Sequence, residues 1–288
     1  MMTRRTLGLI GVMLILVVAG QIAPVQAGSR TIYGEPKNLG DGAVRSLVVL
    51  DEQGDPVSIG IALRREVFSR LSEGAGPSEV MLGMPDGVSV PPFDHLTVDW
   101  NPRGHEPHGI YDVPHFDFHF YLIPPSERMM ISAGDGERFA KAPGKDYLPA
   151  DYQATPGGVP GMGAHWVDVT SPEFHGKPFT TTFIYGTYDG TVTFYEPMMS
   201  SAFLEGVKEF SSEIKQPARF AREGYHPVTY RVMHREKEGE YWILLDGLTL
   251  RPCTDPDRSE GATPRNVWGI RPVVRKRCMP DRGIVTRG

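Results

Sequence analysis

The sequence lacks the short motifs that mark several large enzyme classes. It contains no Gly-rich loop followed by Lys-Ser or Lys-Thr, no Gly-x-Ser-x-Gly segment and no His-Glu-x-x-His segment. These motifs build, in turn, a phosphate cradle, an exposed serine nucleophile and a helical zinc site. Pro156 and Pro160 interrupt the glycines at 157–163, so that stretch does not fit a dinucleotide-binding turn. The sequence therefore excludes the familiar forms of these chemistries.

Cysteine is scarce, with only Cys253 and Cys278 among 288 residues. Two widely spaced cysteines lack the close paired spacing of zinc knuckles and ribbons. In an oxidising compartment we expect them to form a disulfide, which would contribute roughly 3 kcal/mol by constraining the unfolded chain.

Basic residues are too few to favour a nucleic-acid partner. The chain has 30 Lys and Arg against 35 Asp and Glu, and a formal net charge of −5. A polyanion is normally bound by a basic surface, so we expect no nucleic acid as a partner. The 33 Gly and 26 Pro residues also disfavour a helix bundle, because both residue types weaken helix interiors.

The first 27 residues have the pattern of a signal peptide. Arg4 and Arg5 precede an apolar run at 7–19, and Val25-Gln26-Ala27 suits cleavage after Ala27. The run is shorter than the about 20 residues that span a bilayer, so we expect no retained membrane span. The sequence predicts a periplasmic or secreted protein. The segment at 3–7 resembles a twin-arginine signal, and the general and twin-arginine export routes both stay open.

Alternation of apolar and polar residues predicts a mainly β fold, either an antiparallel sandwich or a barrel. We expect one or two short helices, near 64–72 and 200–210, and long Gly/Pro-rich loops, of which 134–163 is the longest. Residues 28–197 are predicted to form a histidine-rich β domain. Residues 198–288 form a C-terminal β region that either stands alone or extends the same domain. The predicted strands lie at 46–50, 57–63, 96–98, 116–122, 179–185, 191–195, 228–233 and 241–245.

Histidine is distributed unevenly and supplies the main chemical signal. Five of the nine histidines lie within 25 residues of chain, and these are His95, His105, His108, His115 and His119. Histidines accompanied by carboxylates are the usual composition of a nitrogen and oxygen metal site. The sequence therefore predicts a bound divalent metal ion, with zinc as the default.

The segment Pro114–Tyr121 alternates with a period of two, which predicts a strand. One face would carry His115, Asp117 and His119, and the three phenylalanines would face an apolar layer. Residues 95–100 repeat this division, so the polar faces of the two strands coincide if the strands pair. The Cα atoms of His115 and His119 would lie about 13 Å apart, which prevents the two from chelating one ion alone.

Further metal ligands must therefore come from other parts of the chain. We predict a metal site formed by His105, His115, Asp117, His119 and His165. His95, His108 and Glu196 are additional candidates, and His175, His226 and His234 are assigned structural roles.

Two functions stay open at this point. The first is an exported protein with a His/carboxylate metal site, a bound small molecule and a reaction that the sequence does not define. The second is a non-catalytic envelope protein for binding or assembly, in which the histidines are structural or lie at an interface between copies of the chain. In either case a homo-oligomer is compatible with the sequence.

The strand Pro-His-Phe-Asp-Phe-His-Phe-Tyr at 114–121, with the segments at 104–107, 163–166 and 183–186, resembles an exported bacterial domain family of unknown function. The resemblance covers roughly residues 35–250. It implies a common fold and a shared site around the five predicted ligands, and it implies no reaction. A looser similarity to cupins is imperfect, because their compact His-x-His pair is absent, which argues against a cupin-type oxygenase.

Overall fold

The structure is a computed structural model that describes residues 28–70 and 76–252. The signal peptide predicted at 1–27 and the disulfide predicted between Cys253 and Cys278 lie outside the described residues. The strands, in chain order, are β1 (Arg30–Tyr33), β2 (Lys37–Leu39), β3 (Gly42–Leu50), β4 (Pro56–Arg64), β5 (Ser78–Gly83), β6 (His95–Asn101), β7 (His115–Tyr121), β8 (Tyr152–Ala154), β9 (Ala164–Asp168), β10 (Thr181–Tyr188), β11 (Thr191–Ser200), β12 (Glu209–Glu213), β13 (Gly224–His226), β14 (Thr229–Arg235), β15 (Glu240–Asp246) and β16 (Thr249–Arg251).

Helices are few and short in this fold. The α-helices of the described residues are α1 (Glu66–Arg70), α2 (Pro125–Arg128), α3 (Gly136–Ala140) and α4 (Ser201–Gly206), and 3-10 turns lie at Lys145–Tyr147 and Pro172–His175. Within 28–70 and 76–252, none of these helices has the length and apolar character needed to cross a membrane.

Two antiparallel sheets of seven strands form the bulk of the fold. The first sheet has the order β1-β3-β4-β15-β14-β12, with β2 paired to β3, and the second has the order β5-β6-β7-β11-β10-β9-β8. Strands β13 and β16 form a separate pair. The first sheet joins strands that precede residue 65 with strands that follow residue 208. The boundary near residue 198 stays a prediction.

The two sheets pack face to face as a sandwich. Phe116, Phe118 and Phe120 of β7 belong to a buried cluster that also contains apolar residues of the first sheet. Between the sheets, the ring of Phe183 in β10 lies 5.6 Å from the ring of Tyr230 in β14. Each phenylalanine of β7 therefore removes apolar area from water in the core, which stabilises the sandwich.

The sequence-based prediction of a mainly antiparallel β fold is confirmed, and the sandwich is the form observed. The predicted hairpin of β3 and β4 and the pair of β14 and β15 are both present. The turn between β10 and β11 has Asp189 at φ 49° and Gly190 at φ 77°, as expected for a tight hairpin turn.

The helices number four among the described residues, against the one or two expected. The two unexpected helices, α2 and α3, are only four and five residues long. They lie in Gly- and Pro-rich sequence, where helical periodicity is too short to be recognised. The predicted long loop at 134–163 also contains β8 and a 3-10 turn.

We expect the substitution Phe118→Ala to lower the free energy of unfolding by about 3–5 kcal/mol, because it leaves a cavity in the buried layer. Chemical denaturation followed by far-UV circular dichroism measures the change. Met129→Ala is the control, since Met129 is 80% exposed and its truncation should change stability by less than about 0.5 kcal/mol. An equal effect of the two substitutions would contradict the assignment of β7 to the core.

Candidate metal centre

The polar side chains of β7 lie on the face of the second sheet opposite to the phenylalanines. In the pairing with β6, Asp117 lies opposite Asp99, and His119 lies opposite Thr97. Directly opposite residues of antiparallel strands share a face, so the predicted coincidence of the two polar faces is observed.

Other elements bring further candidate ligands to this face. Strand β11 pairs with the other edge of β7 and places Glu196 beside His119. Strand β9, beyond β10 in the sheet, brings His165 to the same carboxylate. The loop between β6 and β7 places His105 beside Asp117. The order of the strands thus joins residues that are far apart in sequence.

These residues form two separate groups of three. The first triad is His105, His115 and Asp117, and the second triad is His119, His165 and Glu196. Within each triad, one potential ligand atom from each residue lies within 4.8 Å of the others. The spacing of a strand separates His115 from His119, and the structure places these two histidines in different triads.

Both histidines of the first triad are held by backbone carbonyls. The Nδ1 atom of His115 donates to the carbonyl of Val113 at 2.7 Å. The Nδ1 atom of His105 donates to the carbonyl of Glu106, also at 2.7 Å. A carbonyl oxygen only accepts, so Nδ1 carries the proton in each ring and Nε2 presents a lone pair in the neutral form. These Nε2 atoms each lie 3.2 Å from an oxygen of Asp117.

The second triad is the more enclosed of the two. His119 donates from Nδ1 to Asp99 Oδ2 at 3.0 Å, and its Nε2 lies 3.5 Å from Oε1 of Glu196. His165 Nε2 lies 3.6 Å from the other oxygen of Glu196. These separations exceed those of a good N–H···O hydrogen bond. Neither His119 Nε2 nor Glu196 Oε2 has a hydrogen-bond partner.

The carboxylates control the protonation of the second triad. Burial opposes a charge on His119, but the carboxylates of Glu196 and Asp99 outweigh it and raise the pKa of His119 to about 9. Burial, together with the charges of His119 and His105, lowers the pKa of His165 to about 3. Burial also raises the pKa of Glu196 to about 8. Near neutral pH these shifts favour the charged form of His119, the protonated form of Glu196 and the neutral form of His165.

In the first triad, contacts between the histidines and Asp117 likewise shift the pKa values. Burial opposes a charge on His105, but the hydrogen bond to Asp117 outweighs it and raises the pKa of His105 to about 9. Burial likewise opposes the charge of Asp117, yet its contacts with His105 and His115 lower its pKa well below the usual range. Asn101 also donates to Asp117 Oδ2, at 2.6 Å. The carboxylate is thus ionised and held in one orientation.

An aromatic ring packs against the second triad. Phe194 of β11 lies 4.9 Å from the ring of His119 and 5.2 Å from the ring of His165. Gly186 provides the space, because a Cβ atom there would lie 2.0 Å from the ring of Phe194. Any larger residue at 186 would displace the ring, so the glycine permits the close packing around the two imidazoles.

Both triads border one cavity of about 730 Å³. His105 and Asp117 line it from the first triad, and His165 and Glu196 line it from the second. The remaining wall is largely apolar and includes Tyr111, Val159, Met162, Val167 and Ile184. A cavity of this size that combines an apolar wall with converging polar groups is typical of small-molecule sites. Residues from 155–162 of the predicted long loop therefore form part of the wall of this cavity.

The remaining candidates lie outside the triads. His95 is buried and stacks on Tyr121 with ring centroids 4.7 Å apart. His108 is exposed and pairs with Asp112 at 2.9 Å, so it contributes to neither triad. Of the histidines assigned structural roles, His226 is buried and bonds to the hydroxyl of Tyr195.

Two residues that orient triad side chains were not predicted as part of the site. Asp99 fixes the ring of His119, and Asn101 holds the carboxylate of Asp117. The alternation of residues 95–100 already placed Asp99 on the polar face. The pairing register of β6 with β7 was the missing information, because it decides which residues lie opposite each other.

The comparisons with known proteins give one result. A family model described as "TTHB210-like: Hypothetical protein TTHB210" matches residues 51–100. No curated protein and no solved structure matches the chain. The matched residues include β4, α1, β5 and most of β6, and they contain none of the six triad residues. The chain is thus similar over this stretch to a family of hypothetical proteins.

Proposed function

We propose that the protein is an exported metal-binding protein in which the second triad holds a divalent metal ion, zinc by default. The observation that carries this proposal is the orientation of His119. Its Nδ1 is committed to Asp99, and its Nε2 points at a buried carboxylate oxygen of Glu196 without a hydrogen bond between them. A metal ligand histidine has this arrangement, with an acceptor on one ring nitrogen and the ion on the other.

The charge of the triad supports a bound cation. A buried carboxylate is unfavourable unless a positive charge compensates it. Within residues 28–70 and 76–252, no lysine or arginine forms an ion pair with Glu196; its ion-pair partners are His119 and His165. Among the described residues, the positive charge next to this carboxylate therefore comes from a protonated histidine, and a bound metal ion is the alternative source.

The composition of the triad supports zinc and an open coordination position. Two histidines and one glutamate are a known ligand set of catalytic zinc, which leaves a fourth position for water or a substrate. Because His165 and Glu196 line the cavity, that position would face it. A zinc ion there would polarise an oxygen of a small molecule held against the apolar wall. The signal-like sequence at 1–27 supports export.

We expect the protein, purified without chelators, to contain bound zinc, and Glu196→Gln to lose one equivalent per chain. The amide keeps the shape of the side chain but removes its negative charge. Inductively coupled plasma mass spectrometry measures the content. His108→Ala is the matched control, because His108 lies outside both triads and its side chain is exposed. A chelator-free protein without stoichiometric metal would refute the proposal.

Asp99→Asn should weaken zinc binding by about 10- to 100-fold, because the neutral amide no longer supports His119 as a ligand. Competition against a chromophoric chelator at constant pH measures the affinity. Asp112→Asn is the control, since the histidine beside it belongs to neither triad. Equal affinities of Asp99→Asn and the unchanged protein would show that Asp99 does not orient a ligand.

The stability of the metal-stripped protein should fall as the pH rises from about 6.5 to about 9. The pKa values of His105 and His119 are raised from 6.5 to about 9, so their stabilising charge is complete below 6.5 and is lost as the pH passes 9. Zinc bound at the second triad should remove the part of this decline that comes from His119, because the ion replaces its proton. Denaturant melts across this pH range test the prediction, and stability that rises with pH in the stripped protein would contradict it.

A further inference from the structure

The first triad has no part in the proposed function, although it faces the same cavity. It is built on a different carboxylate, Asp117, and shares no residue with the second triad. Asp117 and His115 are both more than nine-tenths buried, and they need a partner within the fold.

The unpaired atoms of this triad point at one another. His115 Nε2 and Asp117 Oδ1 lie 3.2 Å apart, yet neither has a hydrogen-bond partner. The other ring nitrogen of His115, Nδ1, carries the proton and donates it to the carbonyl of Val113. In the neutral ring, a lone pair therefore faces a negatively charged oxygen, which is favourable only with a cation between them.

The third ligand, His105, completes this arrangement from the loop. Its Nδ1 donates to a backbone carbonyl, and its Nε2 lies 3.2 Å from the second oxygen of Asp117. Asn101 donates to that same oxygen. Both rings thus have the outer hydrogen bond that fixes the ring of a metal-ligating histidine, and the carboxylate is itself oriented.

We propose that the first triad binds a second divalent transition-metal ion, so that one chain holds two ions facing a common cavity. This inference rests on the proposed function of the second triad. Two histidines and an aspartate suit zinc and neighbouring divalent ions of the first transition row. His105 and Asp117 line the cavity, so each ion would have a coordination position open to the same small molecule.

Zinc stoichiometry in matched variants tests the proposal. The full chain is stripped of metal, titrated with zinc alone by equilibrium dialysis and analysed by mass spectrometry. We expect two equivalents in the unchanged protein, one in Asp117→Asn, one in Glu196→Gln and none in the double variant. Asp112→Asn serves as the control carboxylate and should retain both equivalents.

A second variant distinguishes the loss of a metal ligand from a failure to fold. His105→Ala changes a ligand that lies on a loop, so its far-UV circular dichroism should remain that of the unchanged protein while one equivalent is lost. After reconstitution with Co²⁺, His105→Ala and Glu196→Gln should each retain visible absorption bands, and the bands should differ because different ligands remain.

The outcomes separate the two proposals. One equivalent in the unchanged protein, retained in Asp117→Asn and His105→Ala, would overturn the second ion and identify the first triad as a protonated histidine network. The second triad would then still stand. Loss of both equivalents from folded His105→Ala would also overturn the inference, because it would indicate a single centre. No bound zinc in the unchanged protein would overturn both proposals.

Discussion

The constraint on which the polar face depends is the burial of two carboxylates away from any lysine or arginine partner within the described chain. Asp117 and Glu196 can remain ionised there only when positive charge lies next to them. The fold supplies histidines for this purpose and fixes the ring of His119 through Asp99. The imidazoles can then accept either protons or a metal ion, which couples the chemistry of the site to the stability of the fold.

The same strand serves both the core and the site. Phe118 and its two neighbours pack between the sheets, while His115, Asp117 and His119 lie on the opposite face and belong to the two triads. A shift of one residue in the pairing of β7 would exchange these two sets. The apolar packing therefore sets the positions of the ligands, and the precision of the site comes from a rigid sheet rather than from a loop.

The sequence alone was sufficient for β6, for β7 and for the polar face that they share, because these follow from the local alternation at 95–100 and 114–121. It was not sufficient to predict which of the candidate ligands belong to which triad. His165 and Glu196 reach His119 through the order β7-β11-β10-β9, and that order depends on long-range pairing. The hydrogen bond between Asp99 and His119 was not predicted for the same reason. His108 was grouped with its neighbours by sequence proximity, but the loop turns it toward solvent.

The attachment of His105 to a loop has a kinetic consequence. All three residues of the second triad belong to strands, so none of them can move outward with a loop. His105 can swing outward with its loop alone, since local opening needs less free energy where fewer contacts are lost. A metal ion bound at Asp117 would therefore exchange faster than one bound at Glu196, and one chain would hold a labile ion beside an inert one.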